Sequence, residues 1–107
     1  MAKLYDAPDF SKKINAARVS RFRKLLANPM QLRESDNYNQ SDYWRLYGVS
    51  QSAGSRMENG RPLSGSTQIL IVLKALGRIS DEDLIDAVRL VEEVGLPRRG
   101  QADESIE

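Results

Sequence analysis

Residues 39–61, Asn39-Gln40-Ser41-Asp42-Tyr43-Trp44-Arg45-Leu46-Tyr47-Gly48-Val49-Ser50-Gln51-Ser52-Ala53-Gly54-Ser55-Arg56-Met57-Glu58-Asn59-Gly60-Arg61, constrain the fold more tightly than any other stretch of the chain. Residues 40–47 read as a helix, with Tyr43, Trp44 and Tyr47 spaced to share one face. Gly48 ends it, because the left-handed turn that closes a helix costs little only for glycine. Val49 follows as an apolar anchor, and Ser50 is placed to cap a second helix running to Glu58 or Asn59. Gly60 and Pro62 stop that helix. Helix, glycine, apolar residue, capping serine and polar helix is the order expected of two helices crossing at a steep angle.

The rest of the chain is cut into helix-length pieces in the same way. Pro8 precedes a helix expected to begin at Asp9 or Ser11 and to end near Ala27, with Ile14, Phe22, Leu25 and Leu26 toward one side. Arg18, Arg21 and Lys24 form a basic stripe along its other side. Asn28-Pro29 breaks the chain, and the pair suits the cap and first position of a short helix to about Ser35. Ser64 or Ser66 opens a fifth helix carrying Ile69-Leu70-Ile71-Val72-Leu73 to Leu76, closed by Gly77. Ser80-Asp81-Glu82-Asp83 then marks the start of a sixth. Ser80 is the cap, the acids suit the helix dipole, and Ile79 and Leu84 are placed as a staple. This helix runs through Leu84, Ile85, Val88, Val91 and Val94 to Gly95. The fold expected is all-α: about five to six helices built around a helix-turn-helix, with an extra N-terminal helix. Its parts are an N-terminal arm with the added basic helix (1–28), the helix-turn-helix core (29–78), a C-terminal helix able to dimerise (79–95), and a disordered acidic tail (96–107).

Composition narrows the function. The 107 residues suffice for one modest core and include neither cysteine nor histidine. That removes disulfides, most zinc sites, thiol nucleophiles and imidazole bases, so the chain does not read as an enzyme and no cofactor is expected. No apolar run approaches the roughly 18 residues that span a bilayer, and no basic start leads into an apolar block as in a secretory signal. A cytoplasmic, nucleoid-associated protein is the expectation. The near-neutral total hides an asymmetry: residues 1–33 hold eight Lys or Arg against two acids, and residues 62–107 hold five against nine. A basic first third suits a face presented to a polyanion, and the same imbalance also arises by chance in charged helical chains.

With these residues in place, the stretch resembles the phage-repressor, or Cro/XRE-type, helix-turn-helix family over about residues 30–76. The matching residues are Gln40 at the start of the first helix, Gly48-Val49-Ser50 at the turn, and Ser55-Arg56-Met57-Glu58-Asn59-Gly60 closing the second. Two residues depart from that family together. Trp44 stands where it generally has alanine, and Gly54 where it usually has isoleucine or valine. A large residue opposite the smallest conserves volume, so the Trp44 ring is expected to lie over Gly54. The resemblance also implies that Arg33, seven residues before Gln40, pairs with Glu58.

At about 100° per residue, Gly54 and Met57 of the second helix point inward, flanked by Ala53 and Glu58. Ser52, Ser55, Arg56 and Asn59 fall on the opposite arc, with Gln51 at the first turn. Gln51, Ser52, Ser55 and Arg56 are therefore the candidate base-reading residues, since Gln can bond adenine bidentately and Arg can bond guanine. The alternative is that this arc is an ordinary solvated face. Gln40, Ser50, Asn59, Arg61 and Ser64 flank it at helix ends and are candidates for contacts to the DNA backbone. Arg18, Arg21 and Lys24 either add to those contacts or are simply solvated.

One such helix reads few base pairs, so the resemblance implies a homodimer on a palindromic double-stranded operator. Leu84, Ile85, Val88, Val91 and Val94 mark the C-terminal half as the expected dimer surface, unless they pack against the fifth and N-terminal helices. Two functional readings follow. One is a transcriptional regulator, a repressor acting by operator occlusion. The other is an antitoxin that also autoregulates, binding a toxin partner through its terminal segments.

Overall fold

The computed structural model describes residues 6–95. Six helices succeed one another: α1 (Ala16–Ala27), α2 (Pro29–Ser35), α3 (Gln40–Arg45), α4 (Gln51–Glu58), α5 (Gly65–Ala75) and α6 (Asp81–Val94). No strand occurs among the described residues. The expected acidic tail, residues 96–107, lies outside them.

Each helix begins at a side-chain cap. Asn15, Asn28, Asn39, Ser50, Ser64 and Ser80 accept hydrogen bonds from backbone N–H groups of the first turns of α1 to α6 respectively. At α6 the Asp83 carboxylate reaches back to the Ser80 amide, completing a capping box. Ends are equally local. At the close of α3, the Val49 amide bonds to the Trp44 carbonyl (2.9 Å) and the Gly48 amide to that of Arg45 (3.0 Å), with Gly48 at φ +70°. This paired closure requires the left-handed region at Gly48. Asn37, at φ +61°, takes the same place after α2, one of the few side chains that tolerate it.

Two boundaries differ from the sequence reading. α1 begins at Ala16, not at Asp9 or Ser11, because the Asn15 carboxamide captures the Ala17 and Arg18 amides, while Asp9 folds onto Ser11 in a separate turn. Ile14 consequently precedes the helix and is largely exposed. α3 ends at Arg45 instead of Tyr47, since the amides of residues 46–49 already turn back to form its closure.

The core is built on α3. Tyr43 and Trp44 are its largest fully buried side chains, joined by Leu46, Tyr47, Met57, Leu63, Ile71 and Leu84. Tyr43 meets Trp44 edge-on at 5.1 Å between ring centroids and Tyr47 at 5.3 Å. Such pairs add about 0.5–1.5 kcal/mol each beyond the area they bury. Leu25 and Leu26 of α1 and Leu32 of α2 pack on the rim of this cluster, as does Ile79 before α6.

A polar clamp joins α5 and α6 to the segment between α2 and α3. Lys74 of α5 pairs with Asp36 (2.9 Å) and with Asp81 of α6 (2.6 Å), and the Tyr38 hydroxyl donates to Asp81 (2.8 Å). Burial alone would lower the Lys74 pKa, but its bonds to Asp81 and Asp36 outweigh that and hold it above its ordinary value. Arg45 adds a tether from α3 to Glu92 of α6 at 2.7 Å.

Candidate nucleic-acid interface

α4 has two faces because of what its sequence lacks. Gly54 carries no side chain, so the indole of Trp44 lies directly on the helix backbone. A Cβ at residue 54 would stand 2.9 Å from the indole nitrogen and closer still to Cδ1 and Cγ. Gly54 and Met57 are buried on this side, with Ala53 and the Glu58 residue half-buried beside them. On the other side Gln51, Ser52, Arg56 and Asn59 are exposed and Ser55 is half-exposed. This outer arc carries no large apolar side chain.

Glu58 fixes the two faces in rotation. Its side chain is 1% exposed, yet it stays a carboxylate because donors surround it. Arg33 of α2 delivers Nε at 2.9 Å and Nη2 at 3.0 Å, a two-pronged bond of the strong, geometrically exacting kind. The Trp44 indole N–H donates at 2.6 Å, and Gln40 at the head of α3 donates as well. Burial pushes the Glu58 pKa up, and these donors more than reverse the effect and hold it below the ordinary glutamate value. Arg33, 17% exposed, also donates to the Tyr38 carbonyl at 3.2 Å, so one guanidinium ties α2, the loop before α3 and α4 together.

Arg33, Trp44, Gly54 and Glu58 thus converge at one point, while Gly48 forms the turn between α3 and α4. The flanking residues have varied employment. Ser50 accepts from the Ala53 amide at 3.1 Å. Ser64 accepts from the Thr67 amide and donates to its hydroxyl, and Asn59 donates to the Ser55 carbonyl at 2.8 Å. The Gln40 carboxamide faces Glu58 instead of solvent. Arg61 is exposed just past α4.

Sequence reasoning missed the Trp44 and Gln40 bonds to Glu58 and the whole Lys74 clamp. A signal for the first existed: a buried indole N–H almost always needs an acceptor, and Gln40 and Trp44 lie four apart on α3. The clamp had none, because Asp36, Lys74 and Asp81 meet only when α5 and α6 have packed.

Two short capped helices joined by a tight turn, with one face of the second left exposed, make α3 and α4 a helix-turn-helix. Residues 30–74 match the family model of the RsaL-like HTH domain. That match spans α2 to α5 and supports a helix-turn-helix DNA-binding family. It does not single out the Cro/XRE type. No curated protein and no solved structure matches the chain. No described helix is long and apolar enough to cross a membrane.

Proposed function

We propose that this chain is a sequence-specific double-stranded DNA-binding regulator that inserts α4 into the major groove, docked in the Cro/XRE manner. The supporting observation is the division of α4. Its inner face is held by Trp44, Gly54 and Glu58, while Gln51, Ser52 and Arg56 are exposed and Ser55 half-exposed on the other side. Arg56 suits guanine O6 and N7, and Gln51 suits adenine N6 and N7. Arg61 is the flanking residue best placed for phosphate, with the Ser50 hydroxyl as a neutral donor. Exposed Asn59 has a second amide N–H to offer beside the one it gives Ser55, whereas Ser64 contributes by giving up its bond to Thr67 and Gln40 by turning from Glu58. Binding of two copies to a palindrome would occlude an operator, the simplest route to repression for a domain of this size.

The test is selection from a randomised duplex library at two salt concentrations. The expected product is a palindrome with half-sites about one helical turn, roughly 10 base pairs, apart. Affinity should fall steeply as salt rises. Arg56→Ala should relax preference at one base pair per half-site, whereas Arg61→Ala should weaken all sequences alike. No enrichment over bulk DNA would refute the reading.

A further inference from the structure

Among the described residues, the helices not engaged by the α4 scaffold leave one apolar surface uncovered. On α6, Leu90, Val91 and Val94 are 67%, 57% and 63% exposed. Beside α1, a groove lined by Ile14, Val19 and Phe22 runs along Val72 and Leu76 of α5. α5 joins the two. Its Leu70 lines a second groove with Ala87 and Val91 of α6, and Ile69, 63% exposed, falls between these faces on the helix. So large a run of exposed aliphatic side chains on a small domain marks an interaction surface.

Charge says what covers it. The α1 groove is rimmed by Arg18 and Arg23, and α1 contains no acid. α6 has six acids and one base. Asp81 engages Lys74, Asp83 the capping box, and Glu92 Arg45. Glu82, Asp86 and Glu93 are exposed, with Asp86 one turn before Leu90 and Glu93 one turn after it. The surface is therefore positive at its α1 edge, apolar in the middle and negative at its α6 edge.

We propose that a second copy of this chain covers it, with α1 of each protomer lying against α6 of its partner across paired α5 helices. A twofold axis along α5 places every residue on the α1 side opposite the α6 side of the other copy. An axis across α5 would instead set Arg18 and Arg23 against their own counterparts, which like-charge repulsion disfavours. The proposal deepens the two-copy reading above and rests on it for its role on DNA, but its test does not require DNA.

Sedimentation equilibrium of the full chain is the measurement. Wild type is expected to be a dimer, and Leu90→Asp with Val94→Asp to raise its dissociation constant at least 30-fold. Arg18→Glu with Arg23→Glu and, in a separate chain, Asp86→Lys with Glu93→Lys should each weaken the homodimer about 10-fold or more. Mixing the two charge-reversed chains should restore a tight heterodimer, because both contacts become complementary. All substituted side chains are exposed or half-exposed, so far-UV circular dichroism should be unchanged. A monomeric wild type, or a dimer indifferent to these changes and to mixing, would overturn the interface. A monomer that still enriches a duplex site does so while leaving the α4 reading intact. A charge-dependent dimer that enriches no site supports the interface and removes that reading.

Discussion

Gly54→Ala separates two physical effects by the sign of the result. Alanine is the better helix former by about 1 kcal/mol, so local propensity predicts a more stable domain. The structure predicts the reverse. The new methyl would overlap three atoms of the Trp44 indole. That ring cannot simply step aside, being fully buried, braced edge-on by Tyr43 and tied to Glu58 at 2.6 Å. Restoring carbon contacts to about 3.5 Å moves the ring by about 1 Å, enough to stretch its bond to Glu58 past useful length. Overpacking of a full core costs about 1–3 kcal/mol, and a hydrogen bond to a charged group is worth about 1.5–3 kcal/mol. With the propensity gain set against them, the net loss is about 2–5 kcal/mol, a large part of the stability of a domain this small. Urea unfolding followed by circular dichroism should show a lower midpoint with an unchanged slope. In a Trp44→Ala background the same substitution should turn neutral or stabilising, since the atoms it meets are gone. Stability of Gly54→Ala equal to or above wild type would refute the account of how α3 and α4 pack.

Three further expectations follow from the same geometry. Glu58→Gln leaves Arg33 without its charge partner and should cost about 3–5 kcal/mol. Its acid limb should also flatten. With a folded pKa below the ordinary value, Glu58 stabilises the fold above the normal glutamate range, and the benefit drains as pH falls through the depressed pKa, so comparing melting at pH 7 and pH 3 reads it directly. Lys74→Met, which strips Asp36 and Asp81 of their shared cation, should cost about 1–3 kcal/mol, seen as a lower melting temperature with DNA affinity per folded molecule unchanged. Arg56→Ala should leave unfolding unaltered and reduce discrimination at its base pair by about 1–3 kcal/mol, or roughly 5- to 150-fold in relative affinity by competition binding.

Much of this protein is written in short-range chemistry. Caps at Asn28, Ser50 and Ser80, and the closing turn at Gly48, involve residues within a few positions of one another, so the sequence alone places the helices nearly where they fall. Even the Trp44–Gly54 contact is legible once the family resemblance aligns the two helices, because a large residue facing the smallest one conserves volume. The start of α1 escaped for a reason of the same scale: Pro8, Asp9 and Ser11 carry start signals, but Asp9 bonds Ser11 in a turn of its own and the Asn15 carboxamide captures the first amides of the helix. What tertiary structure alone settled is long-range and polar. Glu58 draws Gln40 and Trp44 of α3 onto the bond with Arg33 that the family resemblance implied, and Lys74 draws together Asp36 after α2 and Asp81 of α6. Charged side chains are long, and most solvent-facing ones have no fixed partner. Which of them become buried, and must then be satisfied, depends on helices meeting in space, and no local pattern carries that information.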